Sequence, residues 1–407
     1  MKKLIAILVV FAMVTGATFA ADIGADAFGM IDVVKGSTQE DSDPATNMAI
    51  TRARLSASAE DENGIFGGWI RFDTPNDWGA GGNVYGNGVV AYGNMWWKPL
   101  DVLKLQIGTN GGDGEFELAG GTTWGFYQVA GDVRTIDAGN AWGGGYWDEA
   151  GFRSAFYGGF NDGAILFLTP VEGLSINIGI PYPYSWGDKA EDVYKQTVAQ
   201  FSYNAEGIGT FGLTYRGGVM DDEVLGDSAK LFVYAGLSMV ENMGIDIGIG
   251  YEFGEELKDV QTISYPISAA LGVNFSSDAF GVKFRAMGQF GGSVKIEAAD
   301  KTYDIPMVVL VDVMPYVNIS DTLIFNFSAG IKMFGKDDND GFGLMSEDNS
   351  PSDAVTGWHI HPYITVKSAW WAPNFYAGLR IESDGKKDAD DKTYINWSVP
   401  IGIAFSL

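Results

Sequence analysis

The chain has 407 residues, with 52 acidic and 26 basic side chains, a formal charge of −26, no cysteine, 56 glycines and 14% aromatics. The charge repels phosphate backbones and excludes a nucleic-acid partner, and the lack of cysteine excludes disulfides, thiolate metal sites and a cysteine nucleophile. A hydrophobic content of 46% excludes a disordered chain, and with only two histidines available neither an enzymatic activity nor a cofactor is expected.

The N-terminus reads as an export signal. Met1-Lys2-Lys3 is a short positive region, Leu4 to Val14 is apolar, and Thr18-Phe19-Ala20 offers small residues where a signal peptidase reads them. Cleavage is expected before Ala21, giving a signal peptide over 1–20 and one barrel domain over 21–407. Loss of Lys2 and Lys3 lowers the formal charge by two, to −28. The apolar stretch is too short to remain as a membrane helix, and no apolar run of ~18 residues comes after it.

Beyond the signal, the chain alternates with a period of two. In Ile50 to Glu60, Ala53, Leu55, Ala57 and Ala59 share one face and Arg52 and Arg54 the other. In the next segment Phe66, Ile70 and Phe72 oppose Trp69, Arg71 and Asp73. Leu174, Ile176, Ile178 and Ile180 alternate with Ser175, Asn177 and Gly179, and Ile245, Ile247, Ile249 and Tyr251 with Asp246, Gly248 and Gly250. Leu323 to Met333 repeats the pattern, and Ile395, Trp397, Val399, Ile401, Ile403, Phe405 and Leu407 complete it. The polar faces are rich in Gly, Ser, Asn and Gln. A soluble sandwich carries many charges on its outer face, whereas a membrane barrel turns apolar residues to lipid and small polar ones to a wet lumen. The competing reading is a large secreted all-β protein; alternation along the whole chain without disulfides argues against it.

Connection lengths point the same way. Short turns are expected at 60–63, 98–101, 169–173, 204–209, 238–243, 276–279, 318–322 and 368–373. Between them lie longer polar segments at 35–46, 74–87, 110–160, 182–194, 217–228, 254–263, 291–304, 335–356 and 383–393. Strict alternation of short and long connections is the layout of a transmembrane antiparallel β-barrel with tight periplasmic turns and long external loops. The tally gives 18 strands; 16 is the alternative, because the segments near 88–98 and 357–367 are weak.

At this point the chain resembles the porins of bacterial outer membranes, on the strength of its export signal and its terminal strand, Ile395 to Leu407. The resemblance implies passive diffusion of ions and small hydrophilic solutes through a water-filled barrel in the outer-membrane lipid. It also implies recognition of the terminal strand by the barrel-assembly machinery, and assembly as a homotrimer. The strand departs from the family pattern in ending on Leu407, with Phe405 two residues earlier, and in carrying Pro400, where a bulge or loosened pairing is expected. The resemblance further implies that 110–160 folds into the lumen as a constricting loop; a further hairpin near 151–159 is the alternative.

Parity assigns the charges. Charge on the lipid face costs ~2–4 kcal/mol at mid-bilayer, so Arg52, Arg54 and Arg71 are expected to face the lumen as a basic ladder. Asp113, Glu115 and Glu117 of the long loop are its candidate partners across the constriction. Pairing of these arginines with nearby wall acids is the simpler reading. Arg216, Lys283, Arg285, Lys332, Lys367 and Arg380 are also placed inward, as are Asp73, Asp246, Glu252, Asp312 and Glu382. Trp96-Trp97 and Trp370-Trp371 beside short turns suggest an interfacial girdle. Trp69, Trp124, Trp142 and Trp147 are candidates for stacking on sugars, which makes a sugar-selective channel the first alternative and a surface adhesin the second. His359 and His361 share the inner face of one strand as pore-lining residues, and no metal site is proposed from them.

Overall fold

The structure, a computed structural model, describes residues 19–39, 43–73, 90–109, 162–181, 194–221, 224–257, 260–335, 355–367, 374–383, 385 and 392–406. Nine strands open the chain as successive antiparallel neighbours. They are β1 (Phe19–Ser37), β2 (Ala45–Asp61), β3 (Phe66–Asp73), β4 (Val90–Leu100), β5 (Leu103–Thr109), β6 (Asp162–Val171), β7 (Leu174–Pro181), β8 (Val198–Ala205) and β9 (Gly209–Arg216). A separate hairpin of β10 (Val219–Asp221) and β11 (Val224–Asp227) comes next, before β12 (Lys230–Val240) returns to pair with β9.

β13 (Met243–Glu252) continues the main sheet, while β14 (Glu255–Leu257) and β15 (Gln261–Ser264) leave it. β16 (Ile267–Ser276) and β17 (Phe280–Phe290) rejoin it, β18 (Ser293–Ile296) and β19 (Lys301–Asp304) leave it again, and β20 (Val308–Asn318), β21 (Leu323–Phe334) and β22 (Val355–Lys367) extend it. β23 (Asn374–Gly378) and β24 (Arg380–Ser383) are two stretches of one strand interrupted at Leu379, and β25 (Asn396–Ser406) pairs with both. β25 then pairs with β1, from Ser406 opposite Asp26 to Asn396 opposite Ser37. Every strand of the ring thus has a partner on each side. The main sheet of 19 segments becomes 18 strands when β23 and β24 are taken as one, the upper of the two expected counts. A ring of this size leaves an aqueous interior rather than a filled core.

The alternation sorts as expected. Ile23, Met95, Phe201, Val233, Ile249, Ile331 and Ile403 stand exposed on the outer face, and Gln106, Asn177, Gln200, Ser268, Gln289 and Asn326 are buried on the inner one. Oil outside leaves no hydrogen-bonding partner, so polar side chains turn in and bond to each other across strands. Asn177 donates to Gln200 (3.1 Å) and Gln200 to Thr214 (3.2 Å), linking β7, β8 and β9. Among the described residues the short turns fall where the sequence places them; the turn expected at 368–373 lies outside them. In the first, the Asp61 carboxylate accepts the backbone N–H groups of Asn63, Ile65 and Phe66, at 3.4, 2.6 and 2.7 Å.

Three features depart from the sequence reading. The segments 254–263 and 291–304 are not plain loops: together they form a four-stranded sheet, β14-β15-β18-β19, with a small core of Ile263, Tyr265, Val294 and Ile305. The inner wall is not polar throughout, because Ile165 packs with Val198 and Phe167, and Met287, Val308, Leu310 and Met314 are also buried on the inward parity. Lipid dictates the outer face alone, so an apolar residue turned inward breaks no rule. Finally, Trp96 and Trp97 do not act as a pair. Trp97 faces out and stacks on Phe66 (6.3 Å), whereas Trp96 shares the inner face with Lys104 (5.9 Å), since neighbours in a strand point opposite ways. Trp370 and Trp371 lie outside the described residues.

Pro400 stands at a loosened pairing, although the slip in β1 beside it recurs in the ladder of β1 with β2. It sits opposite Asp32 of β1, and the register slips between Asp32 and Lys35. On its other side β23 and β24 are interrupted at Leu379.

Candidate functional site on the inner wall

The first patch of interest lies on β1 to β6. Backbone register places Arg54 of β2 opposite Asp26 of β1 on one side and Asp73 of β3 on the other, and Arg52 opposite Phe28. Directly paired residues of antiparallel strands share a face, so Asp26, Arg54 and Asp73 form one row in which the acids flank the base. One row further in, Arg71 pairs with Ser56 and Tyr92. Its guanidinium lies 5.3 Å from the Trp69 ring and 4.7 Å from the Tyr92 ring, and the residue is only 4% exposed. Aromatic faces carry negative charge density that holds a cation there. Trp69 is therefore inward-facing, as expected, but serves as a seat for Arg71. Lys104, absent from the sequence reading, repeats the motif with its ammonium 4.1 Å from Phe167.

Asp113, Glu115, Glu117, Trp124, Trp142 and Trp147 lie outside the described residues, as do the side chains of Asp26, Arg52, Arg54 and Asp73. The acids of β1 lie in the barrel domain just past the expected cleavage point, where the sequence reading marks no strand face. Asp22, Gly24 and Asp26 nonetheless alternate with Ile23, Ala25 and Ala27, a signal that marks them as one face of a strand.

A second patch, on β20 to β24, is more densely connected. Asp312, Gly330, His359 and Glu382 stand in one row across the strands, beside the row of Ser328 and His361. Asp312, Ser328, Lys332, His359 and His361 are all buried. His359 Nε2 is 3.0 Å from the Ser328 hydroxyl and 3.3 Å from Asp312 Oδ2. Arg380 donates to Glu382 through Nε (2.9 Å) and Nη2 (2.7 Å). The His359 and His361 rings lie tilted against each other with centroids 4.7 Å apart, and neither ring nitrogen of His361 has a hydrogen-bond partner among the described residues.

A serine, a histidine and an aspartate in contact invite a catalytic reading, but the geometry opposes it. In a triad the serine and the acid engage opposite nitrogens of the ring, so that one accepts a proton while the other is held. Here both reach Nε2. The cluster is a polar network within the wall. Between the patches, Arg285 donates to Asn274 Oδ1 (2.9 Å) and Tyr234 to Asp246 (2.8 Å). Glu252 accepts from Ser228 and lies 3.9 Å from the Lys230 ammonium.

No family model matches this chain, and no curated protein sequence matches it. Solved structures do. An anion-selective porin from Comamonas acidovorans is 8% identical, with a TM-score of 0.52 over 95% of this chain and 100% of the other. OmpF of Salmonella typhi, solved with daunomycin, is 15% identical, with a TM-score of 0.50 over 95% of this chain and 97% of its own. OpdK, an outer-membrane protein of Pseudomonas aeruginosa, is 10% identical with a TM-score of 0.50, over 95% and 98%. Identities this low speak for architecture alone, and on that architecture the chain has the fold of an outer-membrane porin, a transmembrane antiparallel β-barrel.

Proposed function

We propose that this chain is an outer-membrane porin through which ions and small hydrophilic solutes diffuse passively. The observation that carries the reading is the closed ring of 18 strands with an apolar outer face and a charged, hydrogen-bonded inner one. Such a ring offers a wet path through oil. Residues 1–20 act as the export signal, and the terminal strand Ile395 to Leu407 is the segment read by the barrel-assembly machinery.

Within the pore, Arg52, Arg54 and Arg71 form the basic wall, and the loop 110–160, with Asp113, Glu115 and Glu117, is assigned to the constriction facing it. The Asp26–Arg54–Asp73 row, two acids to one base, offsets the basic wall at that level, so ion preference depends on the position of the loop acids. Assembly as a homotrimer belongs to the same reading.

The test is single-channel recording of the purified protein in a planar bilayer under a KCl gradient. Discrete, stable conductance steps are expected. Silence from protein that circular dichroism reports as folded β-sheet overturns the reading in favour of a plugged barrel or an adhesin.

A further inference from the structure

The ring is not equally well hydrogen-bonded all the way round. From β5 to β20 the strand pairings lose residues only beside hairpin turns, as at Leu168/Val171 and Leu237/Val240. From β20 to β1 they behave differently. Between β20 and β21 the paired register runs to Val313–Ala329 and resumes at Tyr316–Asn326, skipping Pro315 and its opposite, Phe327. Phe327 in turn pairs with Pro362 of β22. Beyond Pro362 lies Leu379, the break between β23 and β24, held there by its own N–H to the Pro362 carbonyl (3.0 Å). Beyond Leu379 the pairing with β25 lapses between Ala377–Ile401 and Arg380–Ser398, around Pro400. Pro400 faces Asp32, where β1 slips register.

These sites are neighbours from strand to strand, so they lie along one line. Four of the five ladders between β20 and β1 lapse on it, and only β21–β22 is continuous. Each proline lacks the N–H that the ladder needs. Proline is ordinarily confined to sheet edges or bulges, yet all three of these stand in strands with partners on both sides. The rows next to this line carry the buried network of Ser328, His359, His361 and Arg380.

From this alignment we infer that the wall from β20 to β1 contains a compliant belt, a hinge line across which the part bearing the histidine network flexes against the rest of the barrel. Resistance to bending in a sheet comes from its ladder bonds, and a row of absent bonds concentrates bending where they are absent. Isolated lapses on scattered levels would merely soften the sheet; alignment on one level makes a fold line. The device does not depend on what passes through the barrel.

The test is backbone hydrogen exchange by mass spectrometry on the full protein in lipid nanodiscs. Amides beside the belt (Phe327, Ile401) are expected to exchange at least tenfold faster than those at Ala235 and Ile247 in the continuous part of the β12–β13 pair. Pro362→Val, which restores the missing ladder donor toward Leu379 and keeps an apolar side chain on the lipid face, is expected to slow exchange at Arg380 severalfold. Belt amides as well protected as those of β12–β13 in the unaltered protein overturn the inference without any variant having to fold. Unchanged exchange in a folded Pro362→Val barrel overturns the assignment of the hinge to the missing donors. Neither readout involves conduction, so a silent channel with a fast-exchanging belt refutes the pore and leaves the hinge standing.

Discussion

Asp312 and His359 meet across a strand that separates them. The aspartate is on β20 and the histidine on β22, yet Oδ2 and Nε2 are 3.3 Å apart because the residue between them on β21 is Gly330. A β-carbon at Gly330 would come within 2.6 Å of the His359 ring and 3.0 Å of the Asp312 carboxylate. Here glycine supplies space rather than conformational freedom.

Gly330→Val is therefore expected to destabilise the barrel by about 1–3 kcal/mol, the usual cost of forcing extra atoms into a packed site. Gly244, where an added β-carbon meets nothing within 4 Å, is the control: Gly244→Ala is expected to stay within about 0.5 kcal/mol. Urea unfolding of the vesicle-reconstituted protein, followed by tryptophan fluorescence, measures both. Equal effects would mean that the close approach at Gly330 does not matter.

Asp61 sets a pH dependence for the first turn. Its carboxyl is held below the usual carboxylate range, chiefly by the Phe66 N–H; desolvation is the next largest effect and opposes it, and Ile65 and Asn63 add to the lowering. A lowered value in the folded state means that the turn gains support above the unfolded value and loses it as pH falls through the lowered one. Asp61→Asn is accordingly expected to speed exchange of the Ile65 and Phe66 amides at pH 7 and to have no effect once the carboxyl is protonated. A difference that persists in acid would locate the effect elsewhere.

The external sheet carries a second such pair. Glu297 is held down chiefly by the hydrogen bond from Lys295, which is itself raised by the same contact at 2.8 Å. Support from Glu297 is lost as pH falls through its lowered value, and support from Lys295 as pH rises through its raised one. Both groups are solvent-exposed, so the effect is expected to be slight and to fade in salt. Lys295→Met should speed exchange at Val294 in low salt and far less in 1 M NaCl.

Ion preference tests the row on β1 to β3. Arg54→Glu replaces the one base between Asp26 and Asp73 with a third acid, and a severalfold shift toward cations is expected from the reversal potential under a KCl gradient. Arg52→Glu, opposite Phe28, is expected to shift it in the same direction but less. An unchanged potential in both would remove this row from the narrow part of the pore.

Much of this architecture could be read from the sequence because lipid is an unforgiving solvent. Ile245, Ile247 and Ile249 have to face out, which fixes the parity of Asp246 and Gly248, and each short turn falls where the alternation stops. The inner wall is less legible because water tolerates almost anything. Val308, Leu310 and Met314 point inward from a strand that is apolar on both faces, and no period of two marks them. The meeting of Ser328, Asp312 and His359 depends on register among three strands, which no single strand encodes. Asp26 beside Arg54 depends on a pairing between segments whose alternation is visible but whose offset is not. The external sheet is hidden for another reason: its strands are three or four residues long, too short to show a period.

The pairing of β1 with β25 brings together residues as far apart in the chain as Asp26 and Ser406. Until that last ladder forms, the sheet has two raw edges whose N–H and C=O groups find no water in the bilayer, at a cost of several kcal/mol for each group left unmet. A partly built sheet therefore has no stable place in the membrane. Insertion has to be concerted with closure, and whatever delivers the chain must shield both edges until its first and last strands zip together.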